Sequence, residues 1–222
     1  MAQEEQVLVV ERKVLEQAGM FQGLAFDVDN YLDRIFAPGI PRFMTRSKAE
    51  KDPSYKQLIP YVIMAHDGKF VSYVRGRRAG ETRLTGLRSI GIGGHINPTD
   101  DMPLFNANFY ETYLAAVERE VAEEVSVETS HTDRVVALLN DESNEVGSVH
   151  LGIVHHWLLD APKVSRKEQM ITQLDFMTPT ELQEVRDTLE TWSQLCLTGL
   201  DKMTYPGKSV SQKETRRAGK TL

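Results

Sequence analysis

The stretch from residue 110 to 125, YETYLAAVEREVAEEV, is the feature that most constrains what this chain can fold into. It is rich in alanine, glutamate and leucine and lacks glycine and proline, so it predicts a helix. At about 100° per residue, three glutamates cover roughly one third of the helix circumference. These are Glu120, Glu123 and Glu124, and the apolar stripe lies beside them, formed by Leu114, Val117, Val121 and Val125. The pattern therefore places the carboxylates at the edge of the core.

Clustered carboxylates repel one another, so a bound cation favours their joint ionisation. Hard oxygen ligands suit Mg²⁺ or Mn²⁺, and such an ion can neutralise phosphate oxygens and activate a water molecule. A solvated glutamate face on a surface helix is the alternative interpretation. The triplet alone leaves both interpretations open.

The residues around the triplet resemble the Nudix box, whose pattern is G-x5-E-x7-R-E-U-x-E-E-x-G-U with U apolar. Glu111 is followed by seven residues and then by the run Arg119-Glu120-Val121-Ala122-Glu123-Glu124-Val125-Ser126-Val127. Five charged positions and both apolar positions match in type and spacing. Ala115-Ala116 also stand where the family usually has small residues.

Two positions depart from the pattern. Phe105 stands where the leading glycine is expected, and the Gly93-Gly94 pair comes earlier, with 16 residues instead of five between Gly94 and Glu111. We interpret this as an insertion of 11 residues in the loop that enters the helix. Ser126 replaces the glycine that permits a left-handed helix end, so we expect strain there or a different exit.

The resemblance covers about residues 58–182 and implies an α/β fold, an α/β/α sandwich with a mixed β-sheet. It implies that Glu120, Glu123 and Glu124 bind Mg²⁺, with Mn²⁺ as a substitute, and that one of them could act as the base. It implies that Arg119 orients these glutamates, with Glu111 as its partner.

Many family members have an additional acidic ligand or base in a loop distant from the box, and Glu168 occupies a comparable position. Asp141, Glu142 and Glu145 compete for this role, and a solvated loop glutamate is the alternative for Glu168. We include Glu168 among the catalytic candidates.

A basic loop spans residues 75–88 and contains five arginines opposed only by Glu81. Guanidinium groups bind phosphate in a bidentate way, so this loop could clamp substrate phosphates, whereas a solvated surface loop is the alternative. Arg83 and Arg88 are the best candidates because they lie closest to the glycine pair. Gly94 and His95 complete the predicted substrate-binding set, although a structural histidine bonded to the backbone is the favoured alternative for His95.

His155, His156 and the one cysteine point to structural roles. His155 and His156 are adjacent in a predicted strand, so we expect one to be buried and the other exposed. Cys196 is the only cysteine, which excludes an internal disulfide and favours a reducing cytoplasm. Its position late in an amphipathic helix predicts a buried, inert thiol.

Hydrophobic periodicity organises the rest of the chain. It predicts strands at 7–10, 58–65, 70–74, 89–92, 134–139 and 149–159, with 58–75 as a hairpin. It predicts helices at 28–36, 110–125 and 179–197, and a loop at 46–56. Thr178 and Glu181 form a capping box before the last helix. We expect an N-terminal extension packed on the core at 1–57, a catalytic domain at 58–200 that ends in a C-terminal helix, and a flexible tail at 201–222.

Composition excludes several function classes. The chain has 222 residues and a net charge of −6, which does not suggest a nucleic-acid polymer as partner. No apolar run approaches the ~20 residues that span a bilayer, and the acidic N-terminus predicts neither a signal peptide nor a membrane anchor. Homodimers are common in the family that the box resembles, and residues 1–56 could supply an interface.

These features predict a cytoplasmic, metal-dependent hydrolase that cuts a diphosphate (pyrophosphate) bond in a nucleoside diphosphate-linked or similar small molecule. A catalytically silent Nudix-like module that binds nucleotides for regulation is one alternative. An isopentenyl-diphosphate isomerase-like enzyme is another, although its cysteine is expected in a strand near the metal helix. The sequence does not identify the substrate, because Asp141-Glu142-Ser143-Asn144 stands where some subfamilies carry a diagnostic proline or tyrosine.

Overall fold

The computed structural model describes residues 4–76, 85–100, 108–167, 171–204 and 215–217. The strands are β1 (Gln6–Glu11), β2 (Gly23–Ala25), β3 (Arg42–Thr45), β4 (Tyr55–His66), β5 (Lys69–Arg75), β6 (Arg88–Ser89), β7 (Gly91–Ile92), β8 (Val125–Val127), β9 (His131–Asn140), β10 (His150–Leu159), β11 (Val164–Arg166), β12 (Ile171–Met177) and β13 (Thr215–Arg217). The helices are α1 (Arg12–Gly19), α2 (Val28–Ile35), α3 (Arg46–Ala49), α4 (Phe109–Glu124), α5 (Glu145–Ser148), α6 (Pro179–Glu184), α7 (Thr191–Leu197) and α8 (Leu200–Thr204).

Eleven strands of the described chain form one large mixed sheet, with the order β12-β5-β4-β10-β9-β13 along its main path. β8 and β11 form a separate antiparallel pair. The predicted α/β fold with a mixed sheet is confirmed. The predicted hairpin is formed by β4 and β5, and its turn residues Asp67 and Gly68 have φ of 47° and 72°. Two positive φ values in a two-residue turn match the twist of the flanking strands.

The chain divides into two compact units. The first contains the described residues of Met1–Tyr61, Gly93–Arg119 and Ala137–Val154. In it, β1 pairs with β3 and β4. Val7, Val9 and Ala49 form a fully buried cluster there. The loop predicted over residues 46–56 is wrong at both ends. The short helix α3 occupies its start and contributes Ala49 to this cluster, and β4 begins at Tyr55.

An ion pair between a buried lysine and a half-buried glutamate fixes the turn that follows β9 in the first unit. Lys56 is fully buried, and its Nζ donates to Glu142 Oε1 at 2.6 Å and to the Gly147 carbonyl at 3.1 Å. Arg12 Nη1 donates to Glu142 Oε2 at 2.8 Å. Burial alone would raise the pKa of Glu142, but the hydrogen bonds from Lys56 and Arg12 lower it below its ordinary value.

The second unit contains the described residues of Val62–Ile92, Glu120–Val136 and His155–Leu222. In it, β5 pairs with β12 on one side and with β6 on the other. Thr178 and Glu181 form the predicted capping box at the start of α6. β13 pairs with the first residues of β9.

The prediction of one helix over 179–197 is wrong. α6 ends at Glu184, a 3₁₀ turn spans Arg186–Thr188, and α7 begins at Thr191. Between them the chain is extended, so that the Glu190 N–H donates to the Arg88 carbonyl at 2.9 Å. Leu189 and Glu190 are both buried, so contacts with distant strands replace helical hydrogen bonds here.

Within the described ranges, no helix is long and apolar enough to cross a membrane.

The predicted domain boundaries at residues 57 and 200 stay predictions. The first limit falls inside β4, which begins at Tyr55, and the second falls inside α8.

Candidate active site

Helix α4 carries all of the predicted box residues from Glu111 to Glu124. Asn108 caps it, since the Glu111 N–H donates to Asn108 Oδ1 at 3.0 Å. The Thr112 N–H donates to the Asn108 carbonyl at 3.2 Å. The helix predicted over 110–125 is thereby confirmed to within one residue at each end.

The three predicted metal ligands lie in the last two turns of α4. Glu120 and Glu124 are half-buried and Glu123 is exposed, while Val121 beside them is buried. Carboxylate oxygens that retain access to water fit the donor set that Mg²⁺ or Mn²⁺ takes. In the conformation described, no three His, Cys, Asp or Glu side chains of the described residues converge as a ready-made metal cluster. Metal binding would therefore require the glutamate side chains to turn toward one another.

The exit from α4 explains how Ser126 replaces the box glycine. The helix ends at Glu124 and the chain passes directly into β8, where Ser126 pairs with Ser165. Among the described residues other than glycine, only Asp67 has a positive φ, so Ser126 has no left-handed strain. The expectation of a different exit is confirmed.

Arg119 holds the loop that precedes α4 by a bidentate ion pair. Its Nε donates to Asp100 Oδ1 at 2.6 Å and its Nη2 donates to Asp100 Oδ2 at 3.0 Å. Nη2 also donates to the His95 carbonyl at 2.9 Å. The Asp100 side chain is 3% exposed and also accepts from the Asn97 N–H at 2.8 Å. The box arginine therefore binds the segment between the glycine pair and the helix.

Asp100 is the residue that the sequence analysis missed, and it differs from the expected partner Glu111. Glu111 is exposed in the first turn of α4, about 12 Å along the helix from Arg119. A signal was present in the sequence, because five residues separate Gly94 from Asp100, the spacing of the box glycine and acid. The insertion therefore lies after this acid rather than before it.

His95 is held through both its backbone and its ring. Its Nε2 lies 3.4 Å from His150 Nε2, and His150 Nδ1 lies 2.6 Å from the Val146 carbonyl. Since Nδ1 of His150 must donate to that carbonyl, its Nε2 accepts from His95 Nε2. Burial lowers the pKa of His150 below its ordinary value, which favours the neutral ring that this pairing requires. Both alternatives for His95 stay open.

The basic loop is described only at its ends, and Arg83, like Glu168, lies outside the described residues. Arg88 is half-buried, and its Nη1 donates to Ser72 Oγ at 3.2 Å and lies 3.5 Å from Met177 Sδ. Its role in substrate binding stays a prediction.

Arg75 makes internal contacts in the second unit. Its Nε donates to Glu190 Oε2 at 2.9 Å, and Ser89 Oγ donates to Glu190 Oε1 at 2.6 Å. Burial alone would lower the pKa of Arg75, but Tyr73, Glu190 and Glu124 together raise it above its ordinary value. Arg75 thus lies within the electrostatic field of the predicted ligand Glu124.

The acids that compete with Glu168 have structural contacts. Asp141 is buried and accepts from Gln22, from Asn144, and from the N–H and hydroxyl of Ser143. These hydrogen bonds lower the pKa of Asp141 against burial, which alone would raise it. Glu142 binds two cations, and Glu145 is exposed.

The expectation that one of His155 and His156 would be exposed is wrong. His155 is buried with its Nδ1 2.7 Å from Asp133 Oδ1. His156 is also buried, and burial lowers its pKa to about 4. Both faces of β10 are therefore covered at this point. Cys196 is fully buried in α7 as predicted, and burial raises the pKa of its thiol.

Two of the three comparisons with known proteins found similar proteins. No protein-family model matches the chain. The chain is 32% identical to Protein YmaB of Bacillus subtilis (strain 168) over 200 residues, which cover 86% of this chain and 95% of that protein. The fold of this chain is similar to the crystal structure of Tm1382, which is described as a candidate Nudix hydrolase. The two share 28% sequence identity and a TM-score of 0.71 over 88% of this chain and 98% of that chain.

A more distant similarity concerns the fold alone. The NUDIX domain of Shewanella oneidensis NrtR, crystallised with ADP ribose, shares 14% identity and a TM-score of 0.50 over 73% of this chain and 100% of that chain. The box on α4, the mixed sheet and these similarities lead to one assignment. The chain is a relative of Protein YmaB and belongs to the Nudix superfamily of MutT-like proteins.

Proposed function

We propose that this protein hydrolyses a diphosphate linkage in a nucleoside diphosphate-linked or similar small molecule. The observation that carries the proposal is the end of α4, where Glu120, Glu123 and Glu124 follow an arginine that is rigidly held by Asp100. A divalent cation, Mg²⁺ or Mn²⁺, would supply charge neutralisation at the phosphates and an activated water when bound by these carboxylates.

The residues of this chain would contribute position and charge. Arg119 fixes the loop that begins at Gly94, so the backbone of that loop is held in register with α4. Gly94, His95, Arg83 and Arg88 are proposed to bind the substrate, and Glu168 to act as an additional acid or base. The buried thiol of Cys196 gives no support to the isomerase-like alternative, whose cysteine would have to reach the substrate.

The test is turnover of a panel of nucleoside diphosphate-X compounds with Mg²⁺ or Mn²⁺, followed by phosphate release after phosphatase coupling. ADP ribose belongs in the panel because the Nudix domain of NrtR was crystallised with it. Glu124→Gln removes one ligand charge at constant shape, and Glu118→Gln on the same helix is the matched control. We expect EDTA and Glu124→Gln to abolish turnover, and Glu118→Gln to retain it.

Metal-independent turnover, or full activity of Glu124→Gln, would contradict the proposal. If no compound turns over while one binds tightly, the catalytically silent binding module becomes the better interpretation. Direct Mn²⁺ binding measured by electron paramagnetic resonance separates a wrong substrate panel from the absence of a metal site.

A further inference from the structure

Negative charge accumulates at the C-terminal end of helix α4. The last carbonyl groups of a helix carry partial negative charge and lack partners within the helix. Glu123 and Glu124 add full negative charges in this same turn, and no basic residue of α4 lies there. Such carboxylates disfavour the last turn of the helix unless a cation from elsewhere lies near.

Lys167 brings a cation to these terminal carbonyls from outside the helix. Its backbone N–H donates to the Glu124 carbonyl at 3.0 Å, and its Nζ donates to the Ala122 carbonyl at 3.1 Å. One residue therefore satisfies two of the terminal carbonyls of α4. Lysine near the last turn of a helix is a recognised way to stabilise it.

The neighbouring residues keep Lys167 in register with the helix end. β11 pairs with β8, so that Arg166 lies opposite Val125 and Ser165 opposite Ser126. The Arg166 side chain donates from Nη1 to the Thr172 carbonyl at 2.8 Å, which ties the same segment to the start of β12. The pairing of β11 with β8 thus places Lys167 beside the end of α4.

We propose that Lys167 is a positioning residue for the metal-binding turn of α4, holding the backbone of Ala122 to Glu124 so that the carboxylates can meet a divalent cation. This inference rests on the proposed function. A positioning lysine can be distinguished from one that only repels the bound cation. A lysine that acted only as a nearby positive charge would weaken cation binding, and its removal would tighten it.

The experiment is a titration with Mn²⁺ alone, followed by electron paramagnetic resonance, on the full chain. Lys167→Met keeps most of the side-chain length but removes the ammonium group, and Lys167→Arg retains a charged donor. We expect Lys167→Met to weaken Mn²⁺ binding about two- to fivefold, the range of a charge at a helix terminus. Lys167→Arg should recover most of this loss. The matched control Lys163→Met changes an exposed lysine on the approach to β11 and should bind Mn²⁺ as the unchanged protein does.

Unchanged or tighter binding by Lys167→Met would overturn the inference. A thermal melt of each variant identifies a general loss of folding. If Lys167→Met proves unfolded, Lys167→Arg and Lys167→Gln still test the inference, since Gln keeps a donor without charge and should bind between the two. If the unchanged protein binds no Mn²⁺, the proposed function fails rather than the role of Lys167.

Discussion

The guanidinium group of Arg119 and the carboxylate of Asp100 form a two-point ion pair, with N–O distances of 2.6 and 3.0 Å. The pair joins the helix that bears the predicted metal ligands to the segment that follows the glycine pair. Parallel hydrogen bonds of this kind fix orientation as well as distance. Because the Asp100 side chain is 3% exposed, its hydrogen bonds to Arg119 are largely shielded from water, and removal of its charge weakens both of them.

Asp100→Asn is therefore expected to lower the free energy of unfolding by about 3 kcal/mol. Glu111→Gln changes the acid that the box spacing selects when it is counted back from Arg119. Since Glu111 is exposed, that change should cost less than about 0.5 kcal/mol. Urea unfolding of both variants measures the difference. If Glu111→Gln lowers the free energy of unfolding more than Asp100→Asn does, Arg119 depends on Glu111 instead.

The choice between these two acids shows what the sequence could and could not predict. The identity of α4 and its carboxylates follows from local periodicity and spacing, which a helix preserves. Counting from Arg119 leads to Glu111, whereas counting from Gly94 leads to Asp100, and an insertion makes the two counts disagree. Only the tertiary contact decides between them.

The helix break after Glu184 is another feature that the sequence did not predict. The capping box at Thr178 is local and was predicted correctly. The break before α7 was not, because Glu190 is fixed by Arg75 and Ser89, which lie about one hundred residues earlier. Periodicity within a window carries no information about such partners.

Glu190→Gln tests this buried contact. The substitution removes the charge that faces Arg75, whose guanidinium is largely buried, so we expect a loss of about 3 kcal/mol in the free energy of unfolding. Glu5→Gln, which removes an exposed partner of Arg46, is the control and should cost less than about 1 kcal/mol. Chemical denaturation measures both. Equal small losses would mean that solvent reaches the Arg75–Glu190 pair.

The pH dependence of stability is expected to contain a contribution from His156. Burial lowers its pKa to about 4, with Arg134 acting in the same direction and Asp133 opposing it. The unfolded chain therefore binds this proton at higher pH than the folded protein does. Stability from this group is complete above about pH 6.5 and is lost as the pH falls toward 4, by about 3 kcal/mol in total.

Unfolding free energies measured between pH 7.5 and pH 4.5 would test this contribution. His156→Leu and His156→Gln both remove the titration and should reduce the slope over this interval. The Leu variant also avoids a buried polar group, because His156 Nε2 has no hydrogen-bond partner in the described structure. An unchanged slope in both variants would assign the acid sensitivity to other groups.

Gly93 is expected to be the structurally essential member of the glycine pair that precedes the site. A Cβ atom at Gly93 would lie 1.9 Å from the Pro60 carbonyl oxygen, and this backbone cannot move aside as a flexible side chain would. Gly93→Ala should therefore destabilise the fold by about 3 kcal/mol through overpacking. Gly39→Ala is the control, since Gly39 has open space around it but a φ of 79°, and should cost only about 1 kcal/mol. Thermal and urea unfolding would rank the two variants, and a smaller loss for Gly93→Ala would mean that β4 can yield at Pro60.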